Sequence, residues 1–413
     1  MLNTDLATYQ PVDQLYLWWL GTPDAPVLIG TLRTVRALRG VSLRYAPTWL
    51  AQGFALSEDL PLIDTEFLPT QKDSAAGAVD DARPDRWGER IIRFIDRPAR
   101  LSLMEYLFFA GDERFGALGV SLSPDRYLPR QRGPLPKISE VQAIDVLVRQ
   151  VLNNEPVPDA QKRLISPGAT LGGARPKALL DLDGVQWILK FGEDDAFDAP
   201  LVEHASMTLA ALAGINVALT QAIPLTQGHA VAVRRFDRVG THRLHALSAQ
   251  VALNAAGEKM MGYPELALLL RRRGAAQAAP GSPQMHELFR RMVFNILIDN
   301  TDDHEKNHVL LRDERGHYAL SPAFDILPAA QALGYQQMRV GTSGHDATLD
   351  NALSQASLFG LSKDAAYAQV KTVATVVQGW KTHFAACGVS AADVATLADF
   401  IDRPFLRQQR DKP

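Results

Sequence analysis

The chain has 413 residues, of which 46% are hydrophobic and 22% are charged, and its formal net charge is -3. This length predicts two or three domains, and the balance of apolar and charged residues excludes an intrinsically disordered chain. The small net charge argues against a protein that binds nucleic acid chiefly by neutralising phosphates. A single cysteine, Cys387, cannot form an internal disulfide, no apolar run is long enough to span a membrane, and the N-terminus lacks a signal-peptide pattern. We therefore expect a soluble cytoplasmic protein.

The first 125 residues predict a small α+β subdomain. The elements predicted here are strands at 15–19 and 27–30, a turn at 21–24, and helices at 85–95 and 101–110. Residues 126–165 predict a linker that contains one helix, at 141–152.

Residues 166–240 predict a β-rich lobe, because Asp183-Gly184 separates two strand-like runs and is a strong hairpin signal. A helix at 201–212 and strands near 223 and at 231–236 follow. Residues 241–413 predict a mostly helical lobe from Ser282 onward, with a short hairpin between 309 and 320. The fold class expected from this order is α+β.

A dense polar block lies between an apolar helix end at 292–298 and an apolar strand at 309–311. Within it, four residues separate Asp302 from Asn307, which is the spacing of a kinase catalytic loop. In that chemistry the carboxylate accepts the proton of a hydroxyl, and the amide oxygen is a magnesium ligand. A solvated helix terminus is the structural alternative.

Asp325 lies 18 residues after Asn307, inside the apolar run Ala323-Phe324-Asp325-Ile326-Leu327. An ionised carboxylate is costly in such surroundings unless it is paired or bound to a metal. It therefore matches the second magnesium ligand of a kinase, although no glycine follows it as in the Asp-Phe-Gly pattern. A helix N-cap is the alternative.

A glycine-rich segment, 168–177, precedes the predicted hairpin, and Lys190 ends its second strand. Glycines allow backbone N–H groups to approach phosphate oxygens, although most glycine-rich segments are simple turns. Glu203, on the predicted helix, is placed like the glutamate that pairs with the phosphate-binding lysine of kinases. The order of glycine loop, lysine, glutamate, Asp-x4-Asn and aspartate predicts a kinase.

The chain resembles the HipA-type serine/threonine kinase toxins of bacterial toxin–antitoxin systems. Residues 301–307 resemble the family's Thr-Asp-x-His-x-Lys-Asn segment, Phe324-Asp325-Ile326 its metal-binding aspartate, and Ile188-Leu189-Lys190 its ATP-contacting strand. Segments 172–177 and 233–238 resemble its phosphate loop and the segment that leaves its interlobe hinge. The segments that resemble its N-terminal domain are 44–50, 83–88 and 111–117.

The resemblance implies a bilobal protein-kinase-like fold with an N-terminal α+β subdomain, and catalysis by Asp302 and Lys306. The residues implied to bind nucleotide are Gly172, Gly173, Ala174, Arg175, Lys177, Lys190, Glu203, Arg234, Phe236 and His304. Asn307 and Asp325 are implied to bind Mg²⁺. Family members also phosphorylate a serine in their own glycine loop. In this chain Thr170 occupies the matching position, with Ser166 nearby.

The same resemblance implies ATP and Mg²⁺ as cofactors, a protein substrate such as an aminoacyl-tRNA synthetase, and a small helix-turn-helix antitoxin that mediates contact with DNA. Two alternatives remain. One is a small-molecule kinase of the aminoglycoside or choline type, which the N-terminal segments argue against. The other is a non-catalytic regulatory module, which the retention of Lys190, Asp302, Asn307 and Asp325 argues against.

Overall fold

The structure, a computed structural model, describes residues 9–130, 133–168, 173–274, 283–313 and 315–412. It divides into two compact units, each built from separate chain segments. The first unit comprises Met1–Leu189, Arg235–Leu247 and Asn254–Ala256, and the second comprises Lys190–Arg234, Ser248–Leu253 and Gly257–Pro413. The limits predicted at residues 125, 165 and 240 stay predictions. Among the helices of the described ranges, none is long and apolar enough to cross a membrane.

The described ranges contain mostly short strands, followed toward the C-terminus by longer helices. The strands are β1 (Gln14–Trp19), β2 (Val27–Val35), β3 (Gly40–Tyr45), β4 (Glu66–Phe67), β5 (Leu118–Ser121), β6 (Lys177–Leu182), β7 (Val185–Phe191), β8 (Thr220–Pro224), β9 (His229–Arg234), β10 (Arg238–Val239), β11 (His242–Arg243), β12 (His245–Ser248), β13 (Val309–Arg312) and β14 (Tyr318–Leu320). The helices are α1 (Pro47–Gln52), α2 (Arg86–Ile91), α3 (Leu103–Phe109), α4 (Val141–Leu152), α5 (Ala199–Leu212), α6 (Ala249–Ala255), α7 (Tyr263–Arg273), α8 (Pro283–Leu297), α9 (Leu349–Ser354), α10 (Lys363–Gln378), α11 (Trp380–Ala386), α12 (Ala391–Ile401) and α13 (Pro404–Asp411).

The first unit contains a five-stranded antiparallel sheet with the strand order β4-β3-β2-β1-β5. Leu15 and Leu17 point to one face of β1, and both are fully buried. Leu32 lies opposite Leu15 on β2 and is also buried. The alternation of apolar residues that predicted these strands thus places one sheet face in the core.

The predicted helices of the first unit are confirmed as α2, α3 and α4. Asp85 caps α2, because its side chain accepts a hydrogen bond from the backbone N–H of Gly88, and a π-helical turn at Ile92–Asp96 continues the helix. The predicted hairpin is confirmed as β6 and β7. Its turn residues Asp183 and Gly184 have φ of 53° and 80°, the positive values that a tight hairpin turn favours.

The second unit is mainly helical, as predicted, and also contains the antiparallel pairs β8–β9 and β13–β14. Its longest helices, α8 and α10, pack against each other, and α8 buries ten of its residues. Within this mainly helical unit, residues 321–348 contain no helix. Two prolines and three glycines interrupt this stretch, and a side chain at Gly341 would meet the backbone oxygen of Asn351 at 2.1 Å.

Candidate active site

Three predicted site residues meet in a buried charge cluster in the second unit. Lys190 Nζ lies 2.7 Å from Glu203 Oε1 and 2.6 Å from Asp325 Oδ1. Lys190 and Glu203 are both almost fully buried. Burial alone would lower the pKa of the lysine, but the charges of Asp325 and Glu203 raise it above its ordinary value. The ammonium is therefore kept charged between two carboxylates.

The local sequence explains why Glu203 reaches the lysine. Asp198 caps α5 by accepting a hydrogen bond from the backbone N–H of Leu201, and Pro200 lies in the first helical turn. Glu203 is thus the fifth residue of a helix whose start is fixed. It lies in the buried part of that helix, and a carboxylate in this position needs a cation.

Asp325 is not a helix cap, because no helix begins after it. Its backbone has a φ of 60°, a left-handed conformation that costs free energy in any residue other than glycine. The carboxylate is bound to Lys190 and has a side-chain exposure of 21%. The helix-cap alternative is therefore wrong, and the position directs an acidic group toward the lysine.

The polar block of residues 301–308 is a packed loop and not a solvated helix terminus. Helix α8 ends at Leu297, and only a single 3-10 turn, Glu305–Asn307, follows within the block. Asp302 is exposed, and its Oδ1 accepts a hydrogen bond of 2.5 Å from Gln337 Nε2. An exposed carboxylate that a neighbour holds in place is suited to accept a proton from a bound hydroxyl.

Asp303, next to Asp302, is buried and ties the two ends of the loop together. Its Oδ2 lies 2.8 Å from His308 Nε2, and it accepts a hydrogen bond from the hydroxyl of Tyr263 on α7. Asn295 Nδ2 donates to the same hydroxyl at 3.4 Å. Burial alone would raise the pKa of Asp303, but these partners lower it below its ordinary value. We name Tyr263, Asp303 and His308 the loop clasp.

Asn307 lies inside the loop that the clasp closes. Its side-chain oxygen is buried, and among the described residues it accepts no hydrogen bond, as is also true of the Nδ1 atom of His304. A buried acceptor without a partner is costly unless a ligand supplies one. An amide oxygen together with a carboxylate such as Asp325 fits a magnesium ion that takes its other ligands from phosphate and water. Lys306 is half-buried on the same 3-10 turn.

The residues of the predicted phosphate loop lie in the first unit, as far as they are described. Lys177 is fully buried, and its ammonium binds the carboxylate of Asp85 and the backbone oxygen of Gly173. The indole of Trp87 donates to the backbone oxygen of Lys177 at 2.8 Å. Asp85 and Trp87, which belong to a segment singled out in the sequence, therefore anchor the base of the loop.

The structure describes only some of the remaining residues of that loop. Gly173 has a φ of 85°, Ala174 is exposed, and Arg175 and Ser166 are half-buried. Gly172 and Thr170 lie outside the described residues.

The hinge-like segment contains a buried ion network that sequence reasoning missed. Arg234 is exposed at the end of β9 in the second unit, whereas Phe236 belongs to the first unit and packs edge-on against Phe115, with ring centroids 5.7 Å apart. Asp237, which follows Phe236, accepts hydrogen bonds from Arg235 Nε at 3.0 Å and from Arg235 Nη2 at 2.7 Å. Burial would raise the pKa of Asp237, but the neighbouring arginines lower it to about 2. The charged residues of Arg-Arg-Phe-Asp-Arg are visible in the sequence, but no pattern in it predicts that Arg235 and Asp237 are buried.

Comparison with known proteins gives two matching family models and one curated relative. The HipA N-terminal domain model matches residues 25–121, and the HipA-like C-terminal domain model matches residues 169–380, more than half of the chain. "Putative kinase Y4dM" of Sinorhizobium fredii is 29% identical over 156 residues, which span 35% of this chain and 37% of that protein.

The solved structures that are similar to this chain include two from bacteria. The HipA protein in the complex of HipA, HipB and operator DNA from Shewanella oneidensis MR-1 aligns with 97% of this chain and 100% of its own, with a TM-score of 0.65 and 16% identity. The proinflammatory kinase CtkA of Helicobacter pylori aligns with 58% of this chain and 91% of its own, with a TM-score of 0.40 and 14% identity. The similarity to the Shewanella structure confirms the predicted α+β, kinase-like fold class.

Proposed function

Because this chain belongs to the HipA family, we propose that it is a cytoplasmic serine/threonine protein kinase that uses ATP and Mg²⁺ and acts as a toxin. The observation that carries the proposal is the buried cluster of Lys190, Glu203 and Asp325. A lysine held charged between two carboxylates matches the phosphate-binding lysine of kinases, which needs a fixed position and a permanent charge.

In this proposal each side chain has one task. Lys190 binds the α- and β-phosphates, and Glu203 holds its ammonium in place. Asp302 accepts the proton of the attacking hydroxyl as its oxygen forms a bond to the γ-phosphorus. The bond between that phosphorus and the β–γ bridging oxygen breaks, and ADP leaves with the electron pair. His304 and Lys306 face the phosphates from the same loop as Asp302.

Asn307 and Asp325 are the residues that would hold Mg²⁺ in this site. The unpartnered amide oxygen of Asn307 and the carboxylate of Asp325 supply hard oxygen ligands, which this ion prefers. When bound, Mg²⁺ offsets the negative charge that builds up on the phosphate oxygens. Arg234 and Phe236 line the adenine side of the nucleotide in this proposal.

The glycine-rich loop covers the phosphates in this proposal, with Gly172, Gly173, Ala174 and Arg175 as its phosphate-facing residues. The attachment of Lys177 to Asp85 gives the loop a fixed base. Phosphorylation of Thr170 or Ser166 would add a charge of about -1.5 to -2 beside the nucleotide and would repel the loop from it. The kinase would then switch itself off.

The partners follow from the family. The Shewanella protein was solved with HipB and operator DNA. We infer for this chain a small helix-turn-helix antitoxin through which it contacts DNA, and a protein substrate that acts in translation, such as an aminoacyl-tRNA synthetase.

The test is incubation of the full chain with γ-labelled ATP and Mg²⁺ in a bacterial lysate, with Asp302→Asn as the matched control. A positioned base contributes about 10² to 10⁴ in rate, so Asp302→Asn should lose at least 99% of the labelling. Peptide mass spectrometry of the same sample locates phosphate on the chain itself. ATP consumption without any labelled protein would instead indicate a small-molecule kinase, and no ATP consumption would indicate a regulatory module.

A further inference from the structure

The first unit contains a cavity of about 700 Å³ whose wall is unusually rich in arginine. Five arginines line it, together with three carboxylates. The arginines are Arg36, Arg39, Arg83, Arg93 and Arg100. The carboxylates are Asp13, Asp73 and Glu89. Asp80 and Glu105, which do not line the cavity, pair with Arg83 and Arg100, so each of the five arginines has a carboxylate partner.

The arginines come from two parts of the chain that the fold brings together. Arg36 and Arg39 lie in the turn between β2 and β3. Arg93 lies on the π-helical turn that follows α2, and Arg100 lies just ahead of α3. Like charges do not gather in one concave place without a counter-charge, because their mutual repulsion is unfavourable.

Carboxylates already bridge pairs of these arginines. Asp13 accepts from Arg36 Nη2 at 3.1 Å and from Arg100 Nη1 at 2.6 Å. The carboxylate of Asp73 pairs with Arg39, and its backbone oxygen accepts from Arg83 at 2.9 Å. The guanidinium groups of Arg36 and Arg100 are therefore spaced so that both contact one anion, whereas Arg83 contacts only the backbone of the residue that pairs with Arg39.

The ion pairs of Arg36 with Asp13 and of Arg39 with Asp73 are easily broken. Their side chains are 86% and 71% exposed, and each uses only one guanidinium nitrogen. Exposed ion pairs contribute about 0 to 1 kcal/mol, so a doubly charged anion can compete with the carboxylates. Guanidinium groups match phosphate oxygens especially well, because they donate two parallel hydrogen bonds.

The rest of the wall is apolar or aromatic. Leu101 is 49% exposed, and Leu103, Met104 and Tyr106 also line the cavity. The concave shape and volume are those of a small-molecule site, whereas nucleic acid requires an extended basic surface. We propose that this cavity binds a small organic phosphate, a molecule with a multiply charged phosphate group beside an apolar or aromatic portion.

The test is isothermal titration calorimetry of the full chain with uridine diphosphate, inorganic pyrophosphate and uridine. Saturating AMP-PNP and Mg²⁺ occupy the proposed kinase site, so the measurement does not depend on it. We expect uridine diphosphate to bind more tightly than pyrophosphate, and uridine not to bind. The double variant Arg36→Gln/Arg39→Gln should bind uridine diphosphate at least tenfold more weakly.

Arg33→Gln is the matched control, because Arg33 is also an exposed arginine of β2 but does not line the cavity. It should leave the affinity unchanged. Absence of binding at millimolar uridine diphosphate, or equal loss in the control, would overturn the proposal. Binding of a single-stranded oligonucleotide without binding of the small phosphates would overturn it in favour of a nucleic-acid surface.

Discussion

Two buried asparagines of the second unit show how a single residue reveals a binding role. Asn351 is fully used, since its Oδ1 accepts from the backbone N–H of Ser343 at 2.8 Å and its Nδ2 donates to the backbone oxygens of Gly344 and Asp346. Asn307 is equally buried, but its oxygen accepts no hydrogen bond from any described residue. The first asparagine serves the fold, whereas the second is costly to the fold and is explained by a ligand.

Asn307→Leu should therefore keep or raise the stability of the protein while it abolishes Mg²⁺-dependent phosphorylation. The substitution removes an unsatisfied buried acceptor, whose cost is about 1 to 3 kcal/mol, and keeps a similar volume. The measurements are the urea midpoint of unfolding and the rate of phosphorylation against Mg²⁺ concentration.

Asn351→Leu is the control for this prediction. It leaves several backbone groups without partners and should lower the free energy of unfolding by about 2 kcal/mol or more. If the two leucine variants destabilise the protein equally, Asn307 is a structural residue and its assignment to Mg²⁺ is wrong.

At the scale of elements, the Asp-x4-Asn spacing predicted the loop of residues 301–308. The residues outside the loop that hold it in place were not predicted. The Asp-x4-Asn spacing, the hairpin at Asp183-Gly184 and the helix that carries Glu203 are local patterns, and each is present. Tyr263 and Gln337 were missed because they lie 40 and 35 residues from their partners in the loop. Such pairings depend on tertiary packing, which no local pattern encodes.

Tyr263→Phe tests whether the loop clasp positions the loop of residues 301–308. The variant keeps the ring that packs edge-on against His308 but removes the hydroxyl that donates to Asp303. A hydrogen bond to a charged acceptor is worth about 1.5 to 3 kcal/mol, so the unfolding free energy should fall by about this amount. We also expect the Mg²⁺ requirement of phosphorylation to rise several-fold.

The control for the clasp is Tyr335→Phe, because Tyr335 is an exposed tyrosine of the same unit. This control should change neither the free energy of unfolding nor the Mg²⁺ requirement of phosphorylation. A loss of stability in Tyr263→Phe without any change in Mg²⁺ dependence would show that the clasp supports the fold but does not position Asn307.

At the scale of the whole molecule, the class and order of elements followed from periodicity and turn residues, whereas the two compact units depend on contacts between distant parts of the chain. Residues 235–247 return to the first unit after the second unit has begun. The buried bonds of Asp237 with Arg235 and with the backbone N–H of Gly116 hold this returning segment. The return of this segment to the first unit depends on contacts between residues about 120 positions apart. Local sequence patterns indicate linkers along the chain but do not indicate such distant contacts.

The C-terminal helices illustrate the same long-range dependence. Arg403 precedes α13, beyond the residues that the family models match, and its Nη2 lies 2.9 Å from Oδ1 of Asp299, three residues before Asp302. Arg410 on α13 donates to the backbone oxygen of Leu297, where α8 ends. The C-terminal segment is therefore bound to the chain just ahead of residues 301–308, and Asp299 is the buried acid on which the contact with Arg403 depends.

The pH dependence of stability tests that contact. Burial raises the pKa of Asp299 to about 6, although Arg403 opposes the shift. The folded chain thus binds a proton at Asp299 more tightly than the unfolded chain, whose pKa is near 3.8. The stabilisation from this proton is complete below pH 4 and is lost as the pH rises to 6. Its size is on the order of 2 to 3 kcal/mol.

In Asp299→Asn the side chain at this position is uncharged at every pH, so the variant does not lose this stabilisation as the pH rises. The free energy of unfolding of the variant, relative to that of the native chain, should therefore rise by on the order of 2 to 3 kcal/mol between pH 4 and pH 7 and stay level above. Urea titrations at half-unit pH intervals measure this difference. A flat difference would mean that Asp299 is ionised at no cost, with Arg403 fully compensating its burial.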